Sequence, residues 1–327
     1  MASVLQVHKD ARRRSAGKGL LDAVAMELRH RWGLYLLLLP TLIYVLVFLY
    51  GPMGGVVMAF QNYKASKGLL GSQWVGLKHF RKFFSSYNFP TLMRNTISIS
   101  LYSLAAGFPL PIIFALSLNV LGRQRTKNTI KTIAYAPHFI STVVVVGMIN
   151  LFFAPTTGII TAILNRFRAL FDLEPIILDC LTNKKAFIHL YVWSGIWQEM
   201  GWGSIIYLAA LSSVSPDLYE AAHIDGATRL KCILHIDLPS ILPTVIILLI
   251  LNTGNILSVG YEKAYLMQNN LNIEASEIIS TYVYKIGLND AQYSYSAAIG
   301  MFNSVINLFF LVIVNTLARK MADISIF

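Results

Sequence analysis

The stretch Glu220-Ala221-Ala222-His223-Ile224-Asp225-Gly226, followed nine residues later by Ile236-Asp237-Leu238-Pro239, is a polar interruption between two apolar runs. Upstream of it no Asp, Glu, Lys or Arg occurs from Met200 until Asp217, and downstream none occurs from Leu238 to Tyr261. The stretch reads as a short helix, a glycine break and a second short helix. Ser215 can cap the first helix, with Pro216 at its first position, where a missing N–H costs nothing. Asp217 and Glu220 fall in the first turn, where the helix dipole favours negative charge. Gly226 suits a helix end that needs a left-handed backbone. Leu238-Pro239 is expected to end the second helix, because the residue before proline is pushed out of the helical region.

The runs that flank this hairpin set the fold class. The chain has 327 residues, 55% of them hydrophobic and 13% charged, and a mean hydropathy of +0.58. Soluble proteins carry about a quarter charged residues. Further stretches free of Asp, Glu, Lys and Arg run over Gly33–Tyr63, Asn95–Gly122, Thr132–Asn165 and Ala291–Ala318. Each exceeds the roughly 20 residues that cross a bilayer as a helix. The chain is therefore expected to be an all-α polytopic membrane protein with about six spans: Gly33–Ala59, Thr96–Val120, Thr132–Phe153, Phe187–Leu211, Ile241–Tyr261 and Tyr295–Leu317. Pro109 and Pro111 are expected to break the regularity of the second span.

Charge orients these spans. Lys9, Arg12, Arg13, Arg14, Lys18, Arg29 and Arg31 precede the first span and place residues 1–31 in the cytoplasm as a basic segment. Arg123, Arg125, Lys127 and Lys131 then form a short basic inner loop over Gly122–Lys131, and Arg229, Lys231, Arg319 and Lys320 fall on the same side, with residues 321–327 as a cytoplasmic tail. The outer loops would hold an interfacial amphipathic segment around Trp74, Phe80, Phe83 and Phe84, and a short helix at Thr161–Phe171. The net charge of +11 does not indicate nucleic-acid binding, because the aromatic residues lie inside apolar runs. The first apolar run is too long for a secretory leader and is expected to remain as an anchor. Cys180 and Cys232 fall on opposite sides of the membrane and cannot pair.

The spacing Glu-Ala-Ala, three residues, Gly, nine residues, Ile-x-Leu-Pro resembles the signature loop of permease subunits of bacterial binding-protein-dependent ABC importers. Trp74-Val75-Gly76-Leu77-Lys78-His79-Phe80 is similar to the Val-Gly-Leu-x-x-Phe segment that sugar permeases carry after their first span. Gly201-Trp202 and Tyr207-Leu208-Ala209-Ala210-Leu211 resemble the subgroup that imports complex oligosaccharides and polysaccharides, including alginate. The resemblance implies a maltose-permease-like transmembrane domain over residues 32–320, with a coupling loop at 213–240 that docks on a separate ATPase. The docking residues it implies are Glu220, Ala221, Ala222, Asp225, Gly226, Ile236, Leu238 and Pro239. It further implies a second, related permease chain, two ATPase subunits, an extracellular solute-binding protein and a place in the bacterial inner membrane. No cofactor would be held by this chain, with ATP and Mg in the partner ATPase.

The residues agree that the chemistry lies elsewhere. No phosphate-binding loop is present: Gly71-x4-Gly76-Leu77-Lys78 lacks the Gly-Lys-Ser/Thr that places lysine and magnesium. No His/Cys cluster has metal-ligand spacing, and no nucleophile–base–acid set can be assembled. Polar residues inside spans are costly and tend to face a cavity or another helix. Asn150, Trp193, Trp197, Glu199, Asn252, Asn255, Asn303 and Asn307 are therefore candidate linings of a solute path, with Gln198 and Trp202 beside them. Amides and indoles suit sugar hydroxyls and ring faces, although Asn and Gly in membrane helices also serve simply to join helices. Two other readings stay open: an ABC importer of peptides or amino acids, and an ion-coupled transporter, to which only Glu199 and His138 could contribute a relay.

Overall fold

The structure is a computed structural model that describes residues 30–258, 260–322 and 324–325. The basic residues from Lys9 to Arg29 lie outside the described residues, as do residues 323, 326 and 327 of the 321–327 tail. The chain divides into two compact units, Met1–Val57 and Met58–Phe327.

Most of the helix α1, Trp32–Phe60, belongs to the first unit, and it has a mean hydropathy of 2.2 and no buried residue in its apolar window. A helix apolar on every face has no use for water, so its surroundings are lipid or protein. Pro40 lies within it without a break, and a π turn at Val45–Tyr50 precedes Gly51-Pro52. The wider π turn accommodates the hydrogen bond that Pro52 cannot donate.

The second unit is helical apart from a two-residue ladder, β1 Gln61–Asn62 antiparallel to β2 Gln73–Trp74. Trp74 stacks on Phe60 at 5.6 Å. The short helix α2, Lys78–Phe84, buries Phe83 among Phe89 and Phe302. Then follow α3 (Phe89–Val120), α4 (Gln124–Phe139), α5 (Thr142–Phe152) and α6 (Ile159–Ala169). Next are α7 (Lys184–Ser212), α8 (Pro216–Ile224) and α9 (Arg229–Thr253). Last come α10 (Tyr261–Met267), α11 (Ile279–Tyr284) and α12 (Tyr293–Ala322).

Four helices, α1, α3, α9 and α12, are each long and apolar enough to cross a membrane, and a fifth crossing is added if the bent pair α4–α5 counts as one. The expected fourth span, Phe187–Leu211, lies within α7, whose 29 residues reach about 43 Å. Its middle, Trp193 to Glu199, is too polar to qualify on composition. That polarity is tolerated because α7 is the central helix: it packs against both halves of α3, against α4 and against α9. At the α4 crossing the backbones approach so closely that a Cβ on Gly201 would stand 2.1 Å from the Ala134 carbonyl oxygen.

Several expected boundaries are corrected. The inner loop Gly122–Lys131 is helical from Gln124, and the expected third span Thr132–Phe153 is not continuous: α4 and α5 meet at a 98° bend. Pro137 tightens the end of α4 into a 3-10 turn, Ile140 is extended, and Ser141 caps α5 by accepting from the Val144 N–H at 3.4 Å. Gln198 on α7 donates to the Ile140 carbonyl at 2.8 Å and so satisfies backbone that the bend frees. The second span loses its regularity at its prolines, as expected: one helix runs Phe89–Gly107 and the next Pro109–Val120, while Phe108 keeps helical angles so that the span continues as α3. The fifth span begins earlier than Ile241 and ends at Thr253 rather than Tyr261. Leu238-Pro239 does not end the second docking helix either. A π turn at Ile233–Asp237 widens the helix just before Pro239, where the missing donor would otherwise break it, and Leu238 stays helical.

Three apolar clusters hold the second unit together. Phe187, Tyr191 and Val192 of α7 meet Ile99, Val145, Val146 and Ile149. Phe83, Leu92 and Ile299 form a second cluster beneath α2, and Tyr207, Leu211, Ala115 and Ile241 form a third below the docking loop.

Candidate functional site

The loop expected to dock on an ATPase is built as a capped helical hairpin. Ser215 Oγ accepts from the Asp217 N–H at 3.3 Å and Pro216 opens α8. Gly226 sits at φ +71°, where the Gly226 N–H donates to the His223 carbonyl at 3.1 Å and the Ala227 N–H to the Ala222 carbonyl at 2.8 Å. These two bonds form a Schellman closure, which needs the left-handed residue that glycine supplies without a Cβ penalty. Thr228 then caps α9 by accepting from the Lys231 N–H at 3.4 Å. Glu220, Ala221, Asp225, Gly226 and Pro239 are exposed, whereas Ala222, Ile236 and Leu238 are half-buried. Nothing in α8 is buried, and Ile224 and Leu230 remain 86% and 65% exposed. Apolar side chains clustered on an exposed hairpin make this loop a candidate contact surface.

Beneath this surface lies a polar strut that sequence reasoning missed. Asp237, 1% exposed, accepts from the Tyr219 hydroxyl and from Asn119 Nδ2, the latter at 3.2 Å. The three residues join α9, α8 and the C-terminal end of α3. Burial, and secondarily the neighbouring Asp237, push the Tyr219 hydroxyl pKa up to about 12. The available signal was an acidic residue between Ile236 and Leu238 at the mouth of an apolar run.

A second site is a cavity of about 620 Å³ between α3, α7, α9 and α10. Of the path candidates it brings together Glu199, Asn252 and Asn255, with Gln198 and Trp202. Glu199 Oε2 accepts from His138 Nδ1 at 2.9 Å, and the His138 ring stacks on Trp202 at 4.3 Å with planes 5° apart. Asn252 is within α9, whereas Asn255 lies past its end. The other candidates lie off the cavity wall. Trp193 is exposed and donates to the Tyr102 hydroxyl at 2.9 Å, and Trp197 and Asn150 are exposed. Asn307 is buried and joins helices: it accepts from the Leu257 N–H at 2.9 Å and donates to Ser258 Oγ at 2.9 Å. Asn303 Oδ1 is enclosed with no hydrogen-bond partner among the described residues.

Lys263, on α10, also lines the cavity, and nothing in the sequence separates it from an exposed loop charge. It is 9% exposed, and its Nζ donates to the Tyr191 carbonyl at 3.0 Å. Burial pulls its pKa down to about 8, against an opposing pull from Glu199. Among the described residues no group of His, Cys, Asp and Glu could hold a metal ion.

Comparison with known proteins places this geometry. The chain is 43% identical over 90% of its length, and 90% of the relative's, to the polygalacturonan/rhamnogalacturonan transport system permease protein YteP of Bacillus subtilis (strain 168). It is 40% identical to protein LplB of the same organism, over 98% of both chains. It superposes with a TM-score of 0.82, at 38% identity and over 92% of its length and 99% of the other chain, on a crystal structure of a bacterial ABC transporter involved in the import of the acidic polysaccharide alginate. That transporter has also been crystallised in complex with an alginate pentasaccharide-bound periplasmic protein. Residues 107–323, from the Gly107 turn of α3 through the docking loop to the end of α12, match the binding-protein-dependent transport system inner membrane component, and the chain belongs to that family of multi-pass ABC permeases.

Proposed function

We propose that this chain is the permease subunit of an importer for oligosaccharides released from acidic polysaccharides, alginate fragments or oligogalacturonides among them. The observation that carries this reading is the 43% identity, over nine tenths of both chains, to a permease named for polygalacturonan and rhamnogalacturonan. The alginate transporter at 38% identity points to the same chemical class. In this reading ATP is hydrolysed with Mg in two separate ATPase subunits, and the Glu220–Pro239 loop docks on one of them. A second, related permease completes the pore, and an extracellular binding protein delivers the solute. Residues 1–31 and 321–327 face the cytoplasm.

The reading is tested with the purified complex in lipid. ATPase activity is measured with binding protein that is empty, loaded with an oligogalacturonide, or loaded with a peptide. Stimulation by the oligogalacturonide alone is expected, and stimulation by the peptide alone would overturn the assignment. Orientation is tested in intact cells on a Cys180→Ser background. Lys67→Cys is expected to react with an impermeant thiol reagent and Thr126→Cys is not, and the reverse pattern would invert the topology.

A further inference from the structure

The cavity contains a buried ammonium without a counter-ion. Lys263 Nζ has one acceptor, the Tyr191 carbonyl at 3.0 Å, and lies 5.0 Å from the centre of the Tyr191 ring. An ammonium carries three N–H donors. Among the described residues no carboxylate lies within 4.0 Å of it: the ion pairs found there are His138–Glu199, Lys184–Glu274 and Lys285–Glu277. The near carboxylate, Glu199, is already engaged by His138. Across from Lys263 the α7 surface is bare. A Cβ on Gly195 would stand 3.3 Å from Nζ, so the ammonium occupies room that a side chain would fill. A buried charge left this way is expensive unless something pairs with it.

We propose that Lys263 binds the carboxylate of a uronic-acid unit of the solute, and is the residue by which this cavity selects acidic over neutral sugars. The proposal rests on reading the cavity as part of the path of an acidic oligosaccharide. A carboxylate fills the donors that Tyr191 leaves, as a charge-assisted hydrogen bond in a site of low dielectric. A neutral sugar offers only hydroxyls, and a site built for a charged partner rejects the analogue that lacks it. The remaining wall suits hydroxyl groups: Gln198, Asn252 and Asn255 supply amides, while Glu199 and Glu262 accept but do not donate. Those two carboxylates also repel further negative charge. The cavity therefore takes one uronate carboxylate, at Lys263, with hydroxyls of the flanking units on the opposite wall.

The test uses the whole transporter, with its partner permease, ATPases and binding protein, in proteoliposomes. Uptake is measured for an oligogalacturonide and for its carboxyl-reduced, neutral counterpart. Lys263→Met keeps the length and removes the charge. It is expected to lower oligogalacturonide uptake about tenfold or more, as loss of a charge-assisted hydrogen bond implies, with uptake of the neutral counterpart unchanged. Equal loss of both solutes would show Lys263 to be only a strut between α10 and Tyr191, and no loss would show the ammonium to be idle. Either result overturns the proposal. Gly195→Ala keeps the lysine and crowds its ammonium. It is expected to lower acidic uptake selectively, and it decides the matter if Lys263→Met does not assemble. Wild-type transporter that takes up the neutral solute but not the acidic one would overturn the proposed function itself, which the variants alone cannot do.

Discussion

The docking loop and the cavity wall invert each other's chemistry. On the loop, Leu218, Ile224, Leu230 and Leu234 are exposed on a hairpin that also carries Glu220, Asp225 and Lys231, while a carboxylate, Asp237, is buried beneath them. Around the cavity the helices carry exposed apolar residues, and Gln198, Glu199 and Lys263 line it, with His138 bonded to Glu199. Apolar surface among charged residues is left to be covered by a protein, because burying it releases water. Polar groups among membrane helices are left to be met by water or a polar solute, because hydrocarbon offers them nothing. Each region is mismatched to its own surroundings, and the proposed partners would relieve that mismatch.

The most severe way to break this comparison is at Gly226. A valine there meets no neighbour within 4 Å, but must hold φ +71°, at about 1–2 kcal/mol or more for a β-branched residue. Gly226→Val is expected to open the hairpin and lose the ATPase subunits from an affinity pull-down of the complex. Full retention would show that the exposed hairpin is only a connector. Next in size is Asp237→Leu, which takes the shared acceptor away from the Tyr219 hydroxyl and the Asn119 amide and leaves only the long Asn119–Tyr219 bond, 3.4 Å, beneath the loop. A loss of about 1–3 kcal/mol is expected. Thermal unfolding of the detergent-solubilised complex reads it, and Tyr219→Phe should cost less because, although it removes the bonds to Asp237 and from Asn119, it leaves the Asn119–Asp237 contact in place. An unchanged midpoint in Asp237→Leu would remove the strut from the account.

On the cavity side, Gln198→Leu uncovers the Ile140 carbonyl at the bend between α4 and α5. It is expected to destabilise by about 1 kcal/mol and to lower uptake, since the bend carries His138, the partner of Glu199 on the cavity wall. Unchanged uptake together with unchanged stability would make the bend incidental. The smallest effect sharpens the comparison from the other direction. Asn150→Ala, on an exposed face of α5 away from the cavity, is expected to leave uptake within about twofold of wild type, as surface substitutions do. A large loss there would place the solute path along α5 instead.

The local features were legible in order along the chain. The apolar runs marked all the helices that qualify as spans, because the length of a hydrocarbon crossing is a property of contiguous residues. The cap at Ser215 and the left-handed turn at Gly226 could be read for the same reason: each is made by neighbours within a few positions. Where a proline helix turned on tertiary support, the reading failed. The chain carries α9 through Leu238-Pro239 on a π turn, and breaks between Phe139 and Ser141, where no charge interrupts the run.

What tertiary structure alone decided is which polar residues meet. Asn252, Asn255 and Glu199 line one cavity, whereas Asn307, of the same type in a similar run, is spent joining helices. Asn119, Tyr219 and Asp237 come together from three helices. Lys263 and Gly195 come together from two helices. Amino-acid type and helical spacing determine which residues share a face of one helix. Which helix that face meets depends on the packing of the whole bundle, through contacts such as the bare Gly201 surface against Ala134, and no single stretch of sequence contains it.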